Sequence, residues 1–243
     1  MMIAIDAGNT RIKWGIHDGE AWLERGALPT GEVEKLAGLV ARWPEYARVV
    51  ACNVAGEAVE RAVERALSPR FAPPLWLRSS AEQCGVRNGY EEHWRLGADR
   101  WAALIAARGQ QLAQKAGDCL VVCAGTATTV DWLDASGLFR GGLILPGIDL
   151  MRASLARNTA QLPAAAGEFR DEPRSTVDAI ASGCLHAQIG AIERMYGRLP
   201  VESMPVCLLT GGAAEKIAPH LAVPFQFSEH LILDGLVRFA SSQ

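Results

Sequence analysis

The segment Met2-Ile3-Ala4-Ile5-Asp6-Ala7-Gly8-Asn9-Thr10-Arg11-Ile12-Lys13-Trp14-Gly15-Ile16-His17 decides how the rest of the chain is read. Residues 2–5 form a short apolar run with β-branched members, which predicts a buried strand. Asp6-Ala7-Gly8-Asn9 then predicts a tight turn, with Gly8 able to take a positive φ and to let the backbone approach a ligand closely. Residues 11–17 alternate polar and apolar, the period of a half-buried strand. The turn also has the chemistry of a phosphate cradle. Backbone amides at Gly8 and the side chains of Asn9 and Thr10 can donate to phosphate oxygens, and Arg11 and Lys13 follow with positive charge. Asp6 would repel a phosphate, so its chemistry points to Mg²⁺, held directly or through water. From this stretch alone, an ordinary hairpin with Asn as turn former reads equally well.

Working outward, Asp18-Gly19 is a hairpin signal, and Ala21-Trp22-Leu23 starts a third strand, so the chain opens as an antiparallel meander. Strands and helices then alternate. Residues 31–43 predict a helix, 47–52 a strand, 56–67 a helix and 75–77 a strand. Residues 99–115 carry Trp101, Leu104, Ile105, Arg108 and Leu112 on one helical stripe. This is an α/β layout.

After Gly117-Asp118 the opening pattern returns. Leu120–Cys123 reads as a strand, Ala124-Gly125-Thr126 as a small polar turn, and Val130-Asp131-Trp132 as the end of a second strand. A third strand runs from Gly137 through Leu145 to Pro146-Gly147. Helices at 148–157 and 175–196, a strand at 206–210, the pair Gly211-Gly212 and a C-terminal helix from 229 complete the half. The expected organisation is two duplicated domains, 1–115 and 116–243. The second turn offers Gly125, Thr126, Thr128 and Thr129 to phosphate and Asp131 to a metal. Gly211-Gly212, between strand and helix, suits close approach of an adenosine or a phosphate. Two turns that each open one half can hold a polyphosphate from both sides.

Asp99 stands at the start of the predicted 99–115 helix, after Gly97. A carboxylate there either caps the helix or is presented to a ligand, and position alone favours the cap.

Taken together, five groups of residues resemble the type III pantothenate kinase family of the acetate and sugar kinase/Hsp70/actin superfamily. They are Asp6-x-Gly8-Asn9-Thr10; Tyr90 with Leu96-Gly97-Ala98-Asp99-Arg100; Gly125-Thr126-Ala127-x-Thr129-x-Asp131; Gly141-Gly142-x-Ile144-x-Pro146-Gly147; and Thr176 with Ala179-Ile180-x-Ser182-Gly183. The set is ordered and spans nearly the whole chain. The resemblance implies two ribonuclease H-like (actin-like ATPase) domains with a cleft between them. It also implies ATP-dependent phosphorylation of pantothenate to 4'-phosphopantothenate, the first step of coenzyme A biosynthesis, in a homodimer using ATP and Mg²⁺. Under it Asp99 is the general base. Arg100 contacts the substrate carboxylate, and Tyr90, Gly97, Ala98, Gly142 and Thr176 line the substrate pocket. Two other readings stay open beside it: another phosphotransferase or phosphatase of the superfamily, and a nucleotide-binding accessory regulator.

The chain departs from the family pattern twice. Cys123 stands where an Asp associated with a monovalent cation (K⁺ or NH₄⁺) is usual, and a neutral thiol is a poor ligand for a hard cation. Residues 91–95 lack the proline common between the Tyr and the Leu-Gly-x-Asp-Arg run. The bulk numbers fit an ordinary globular enzyme: 243 residues, 49% hydrophobic and 21% charged. A net charge of −3 argues against a nucleic-acid partner. No apolar run reaches the length of a membrane span and no signal segment is visible, so cytoplasmic localisation without a membrane partner is expected. The six cysteines form no CxxC pair, which predicts reduced thiols, and no P-loop, GxGxxG or GxSxG motif is present.

Overall fold

The computed structural model describes residues 1–158 and 167–243. They group into two compact units, one comprising Met1–Ala113, Gly137–Phe139 and His230–Gln243, the other Gln114–Ser136 and Arg140–Glu229. A division at 115 leaves the C-terminal helix with the second half, whereas its contacts belong to the first unit.

The first unit opens with the meander β1 (Met2–Ala7), β2 (Arg11–His17) and β3 (Trp22–Pro29). Asp18 accepts from the amides of Glu20 and Ala21, both at 2.8 Å, and Gly19 takes a φ of 121°, as the Asp-Gly pair requires. The helix expected over 31–43 is instead a 3₁₀ segment, Thr30–Lys35, kinked at Glu32, followed by the single-turn α1 (Leu36–Val40). Gly31 and Gly38 weaken helical propagation and Pro44 stops it, while Leu36, Val40 and Trp43 still bury their side chains. Then come β4 (Arg48–Asn53), α2 (Glu57–Leu67) and β5 (Leu75–Trp76). The sheet order is β3-β2-β1-β4-β5, with the meander antiparallel and β1-β4-β5 parallel. A small hairpin of β6 (Glu82–Gln83) and β7 (Val86–Asn88) precedes α3 (Ala98–Gln114). Its tight turn places Cys84 at a φ of 51° and Gly85 at 79°.

The second unit repeats the order. β8 (Cys119–Ala124) and β9 (Ala127–Leu133) are antiparallel, and β10 (Leu138–Pro146) follows. After α4 (Ile148–Asn158) and α5 (Thr176–Tyr196), β11 (Val206–Thr210) lies parallel to β8. A short α6 (Ala214–Ile217) and β12 (Phe225–Phe227) complete it. The order β10-β9-β8-β11-β12 matches β3-β2-β1-β4-β5 strand for strand. The duplication inferred from two Gly/Thr turns is thus a duplication of topology, that of two ribonuclease H-like domains.

Each unit buries its own core. Ile3, Ile5, Ile12, Trp14, Trp43 and Leu67 cluster in the first, and Leu120, Val122, Val130, Ile189, Ile192 and Leu209 in the second. The stripe Ile189, Ile192 and Met195 on α5 is core, as its spacing predicts. The last helix, α7 (Leu231–Ser241), packs on β1 and β4 of the first unit. It crosses α3 so closely that a β-carbon on Gly235 would stand 1.9 Å from the Ala102 carbonyl oxygen. No disulfide joins any of the six cysteines; Cys52, Cys119, Cys184 and Cys207 are buried, and Cys84 and Cys123 are half-buried. Among the described residues no helix is long and apolar enough to cross a membrane.

Candidate active site

In the first unit, β1 ends on a carboxylate that the fold does not neutralise. Asp6 is 5% exposed. Burial, and then the nearby charge of Asp99, push its pKa up to about 6, while Lys13, paired across the strands, and the Cys52 thiol pull it down. The thiol donates to Oδ1 at 3.6 Å. Beyond Asp6 the chain turns sharply. The Gly8 amide donates to the Arg11 carbonyl at 3.1 Å, and Thr30 fastens the turn by donating its hydroxyl to the Gly8 carbonyl at 2.7 Å. Gly8 does not take the positive φ expected of it. Its small size matters instead for close approach, because a β-carbon there would stand 3.1 Å from the Arg11 carbonyl oxygen. Asn9, Thr10, Arg11 and Lys13 are exposed, so a buried carboxylate sits behind a turn with free access to solvent.

The start of α3 supplies the second carboxylate. Leu96 is extended, Gly97 leads into the helix, and Asp99 lies in its first turn. Asp99 Oδ1 accepts from the Arg100 amide at 2.8 Å, within the first turn of the helix. Burial nevertheless raises its pKa against the lowering influence of that bond and of the Arg100 charge. Gly97 gives this carboxylate its room, since a β-carbon there would meet Asp99 Oδ1 at 2.6 Å. Ala98 is buried beside it.

Arg100 is 6% exposed and held by aromatic groups. Its guanidinium donates to the Tyr90 hydroxyl at 2.9 Å and lies 5.6 Å from the Tyr90 ring and 5.7 Å from that of Phe139. The two rings are 5.3 Å apart. Tyr90 is set by Asn88, whose side-chain oxygen accepts its amide at 3.1 Å. Asn88 in turn pairs with Phe139 where β10 begins, and the missing side chain of Gly89 admits the Phe139 carbonyl. Asp6, Asp99, Arg100 and Tyr90 therefore belong to one unit, brought together by elements far apart in sequence.

In the second unit, Gly125, Thr126 and Ala127 are exposed between β8 and β9. The Gly125 amide donates to the Ala127 carbonyl at 3.0 Å. Two other glycines press on this turn. A β-carbon on Gly147 would come within 2.2 Å of the Gly125 oxygen, and one on Gly211, whose φ is 102°, within 2.3 Å of the Ala124 oxygen. Gly212 is exposed beside it. Thr128 and Thr129 are buried, each with a hydroxyl oxygen that has no hydrogen-bond partner among the described residues, so they point away from solvent and support the turn from behind. Asp131 is 1% exposed, and Gly142 makes space for it, as a β-carbon there would stand 2.0 Å from Asp131 Oδ1. Gly142 was expected to line a substrate pocket; its visible role is to admit a carboxylate. Thr176 is exposed at the start of α5, on an apolar groove of about 560 Å³ with Met151, Leu155 and Ile180.

Sequence reasoning missed Cys52 and Phe139. Cys52 sits opposite Asp6 in the parallel β1-β4 pairing, a contact only the sheet register reveals. Phe139 is one apolar residue in an apolar strand, with no local signal of its neighbour Arg100. Among the described residues no three His, Cys, Asp or Glu side chains gather as a metal site. The donors that fit a hard divalent cation are single buried carboxylates, Asp6 above all, whose charge beside Asp99 is only partly offset by Lys13 and Cys52.

The sequence of type III pantothenate kinase as a family matches residues 2–198. A type III pantothenate kinase of Aromatoleum aromaticum is 53% identical over 236 residues, covering 97% of this chain and 96% of the relative. One of Azoarcus sp. is 47% identical over 244 residues, covering 100% and 91%. Among solved structures, the inorganic polyphosphate/ATP-glucomannokinase of Arthrobacter sp. is similar in fold, with a TM-score of 0.50 at 16% identity over 100% of this chain and 99% of that one.

Proposed function

This chain belongs to the type III pantothenate kinase family, and from that premise we propose how its residues transfer the γ-phosphoryl group of ATP to pantothenate, the first step of coenzyme A biosynthesis. Phosphoryl transfer needs an oriented hydroxyl, a proton acceptor and charge stabilisation on the phosphates. Asp99 accepts the proton of the pantothenate primary hydroxyl as that oxygen attacks the γ-phosphorus. Burial raises its pKa, which brings it nearer the working pH of a base. Arg100, clasped by Tyr90 and Phe139, pairs with the pantothenate carboxylate. Half-buried Gly8 and the exposed Asn9, Thr10, Arg11 and Lys13 in the first unit bind ATP phosphates. Gly125, Thr126, Gly211 and Gly212 in the second serve phosphate and adenosine.

Kinases of this family use ATP with a divalent metal. Mg²⁺ is the ion proposed here, and when bound it neutralises phosphate charge. Asp6 would hold it in the first unit, and Asp131 is the corresponding buried carboxylate of the second. The half-buried Cys123 offers no hard oxygen, so turnover is expected without K⁺ or NH₄⁺. A homodimer is proposed, tested by light scattering at working concentration.

The observation that carries the reading is the pairing of a half-buried carboxylate of raised pKa with an aromatic-held guanidinium at consecutive positions, Asp99 and Arg100, beside Asp6. Purified protein with ATP, Mg²⁺ and pantothenate should release ADP only when pantothenate is present, with or without K⁺. ADP release that ignores pantothenate would overturn it in favour of a phosphatase.

A further inference from the structure

Gln188 on α5 is fully buried, yet it is polar. Its flanking positions along the helix, Cys184, Leu185, Ile189 and Ile192, belong to the apolar core of the second unit. Its Oε1 has no hydrogen-bond partner among the described residues, which is a cost to folding that an apolar side chain of similar shape would remove. Its Nε2 donates to the Pro146 carbonyl at 2.9 Å and lies 3.5 Å from Met151 Sδ. With Oε1 unpartnered, what the amide contributes is its bond to the Pro146 carbonyl.

Pro146 ends β10, and the next residue touches the Gly125-Thr126 turn. The Gly147 amide donates to the Thr126 carbonyl at 2.8 Å, and the missing Gly147 side chain lets its α-carbon lie against the Gly125 oxygen. A continuous line therefore runs from the Gln188 amide through the Pro146-Gly147 peptide to the turn. We propose that Gln188 is a positioning residue for ATP, fixing the Gly125-Thr126 turn through the Pro146 carbonyl. Without the donor, the Pro146-Gly147 peptide is held only through its Gly147 amide, and the Thr126 carbonyl has a less fixed partner. The turn's exposed groups then no longer meet the phosphates in one geometry. The inference rests on the reading of that turn as an ATP contact.

The test uses Gln188→Leu and Gln188→Met, which keep the volume and remove the donor, beside Thr126→Val, which alters the exposed turn itself. KM for ATP, KM for pantothenate, kcat and thermal midpoint are measured for each. Both Gln188 variants should raise KM for ATP about tenfold, with KM for pantothenate within twofold of wild type, whatever the small change in thermal midpoint. A lowered midpoint with equal losses on both substrates would mean that Gln188 is only structural, and overturns the proposal. If Thr126→Val raises KM for ATP and neither Gln188 variant does, the proposal alone falls. If no variant alters KM for ATP, the reading of the turn falls with it.

Discussion

Replacing Asp6 by asparagine should stabilise the metal-free protein while removing its activity. The native pKa is about 6 against 3.8 for the free group. Below 3.8 the carboxyl is protonated in folded and unfolded chains alike and contributes nothing. Between 3.8 and about 6 the folded state keeps a proton that the unfolded chain has released, so stability falls as pH rises through that window and levels off above it. At ~1.4 kcal/mol per pH unit, the full cost of the ionised group comes to about 3 kcal/mol at pH 8 and to about half of that at pH 5. Asparagine has no charge to desolvate and none for Asp99 to repel, so it escapes this cost. Urea unfolding in chelator, followed by tryptophan fluorescence, is a suitable assay. Trp14, Trp22, Trp43, Trp76, Trp94 and Trp101 lie in the first unit and only Trp132 in the second, so the signal reports the unit that holds Asp6. Asp6→Asn should exceed wild type by about 3 kcal/mol at pH 8, with the gap narrowing towards pH 5. A variant no more stable than wild type at pH 8, or a gap independent of pH, would refute the reasoning. Mg²⁺ with ATP should then raise the midpoint of wild type more than that of the variant.

Other substitutions separate the roles at the site. Gly97→Ala places a methyl against Asp99 Oδ1, and kcat should fall about a hundredfold with KM for ATP unchanged; retained kcat would show that Asp99 need not hold this rotamer. Tyr90→Phe removes the hydroxyl that accepts from Arg100, and KM for pantothenate should rise about tenfold, the worth of one hydrogen bond to a charged group; steady-state kinetics at saturating ATP read this. Asp99→Asn should remove turnover while circular dichroism stays that of wild type, and full activity would dismiss the base. Gly211→Ala puts a side chain at a positive φ and into the Ala124 backbone, and should lower stability by more than ~2 kcal/mol, visible as an earlier thermal transition.

The strands of both meanders were legible because period-two alternation and Asp-Gly punctuation are local signals, and the repeated order of strand, Gly/Thr turn and strand announced a duplicated α/β fold. The helix over 31–43 was not legible at its true length, since Leu36, Val40 and Trp43 keep helical spacing while the backbone before Leu36 is 3₁₀ and kinked at Glu32. The β6-β7 hairpin had no alternation to betray it. At the site, the residue types of Asp6, Asp99, Arg100 and Tyr90 could be named from the chain. That Asp6 is buried beside Asp99, or that Phe139 packs on Arg100, depends on pairings across the sheets that no window of sequence contains. The glycines show the same limit: Gly8 was expected for its dihedral freedom, and Gly97 and Gly142 turned out to matter for the carboxylates they leave room for.

The return of α7 to the first unit has a consequence for how the protein is made. β1 and β4 leave the ribosome early, but the helix that covers them is more than a hundred residues downstream. At 5–20 residues per second, the first sheet waits on the order of ten seconds for its cover. The strands of the second unit, β8 to β12, all precede α7 in the chain and can pair before that moment. Vectorial synthesis therefore favours the later-encoded unit as the first to finish folding, with the apolar face that α7 covers as the surface open to chaperones meanwhile.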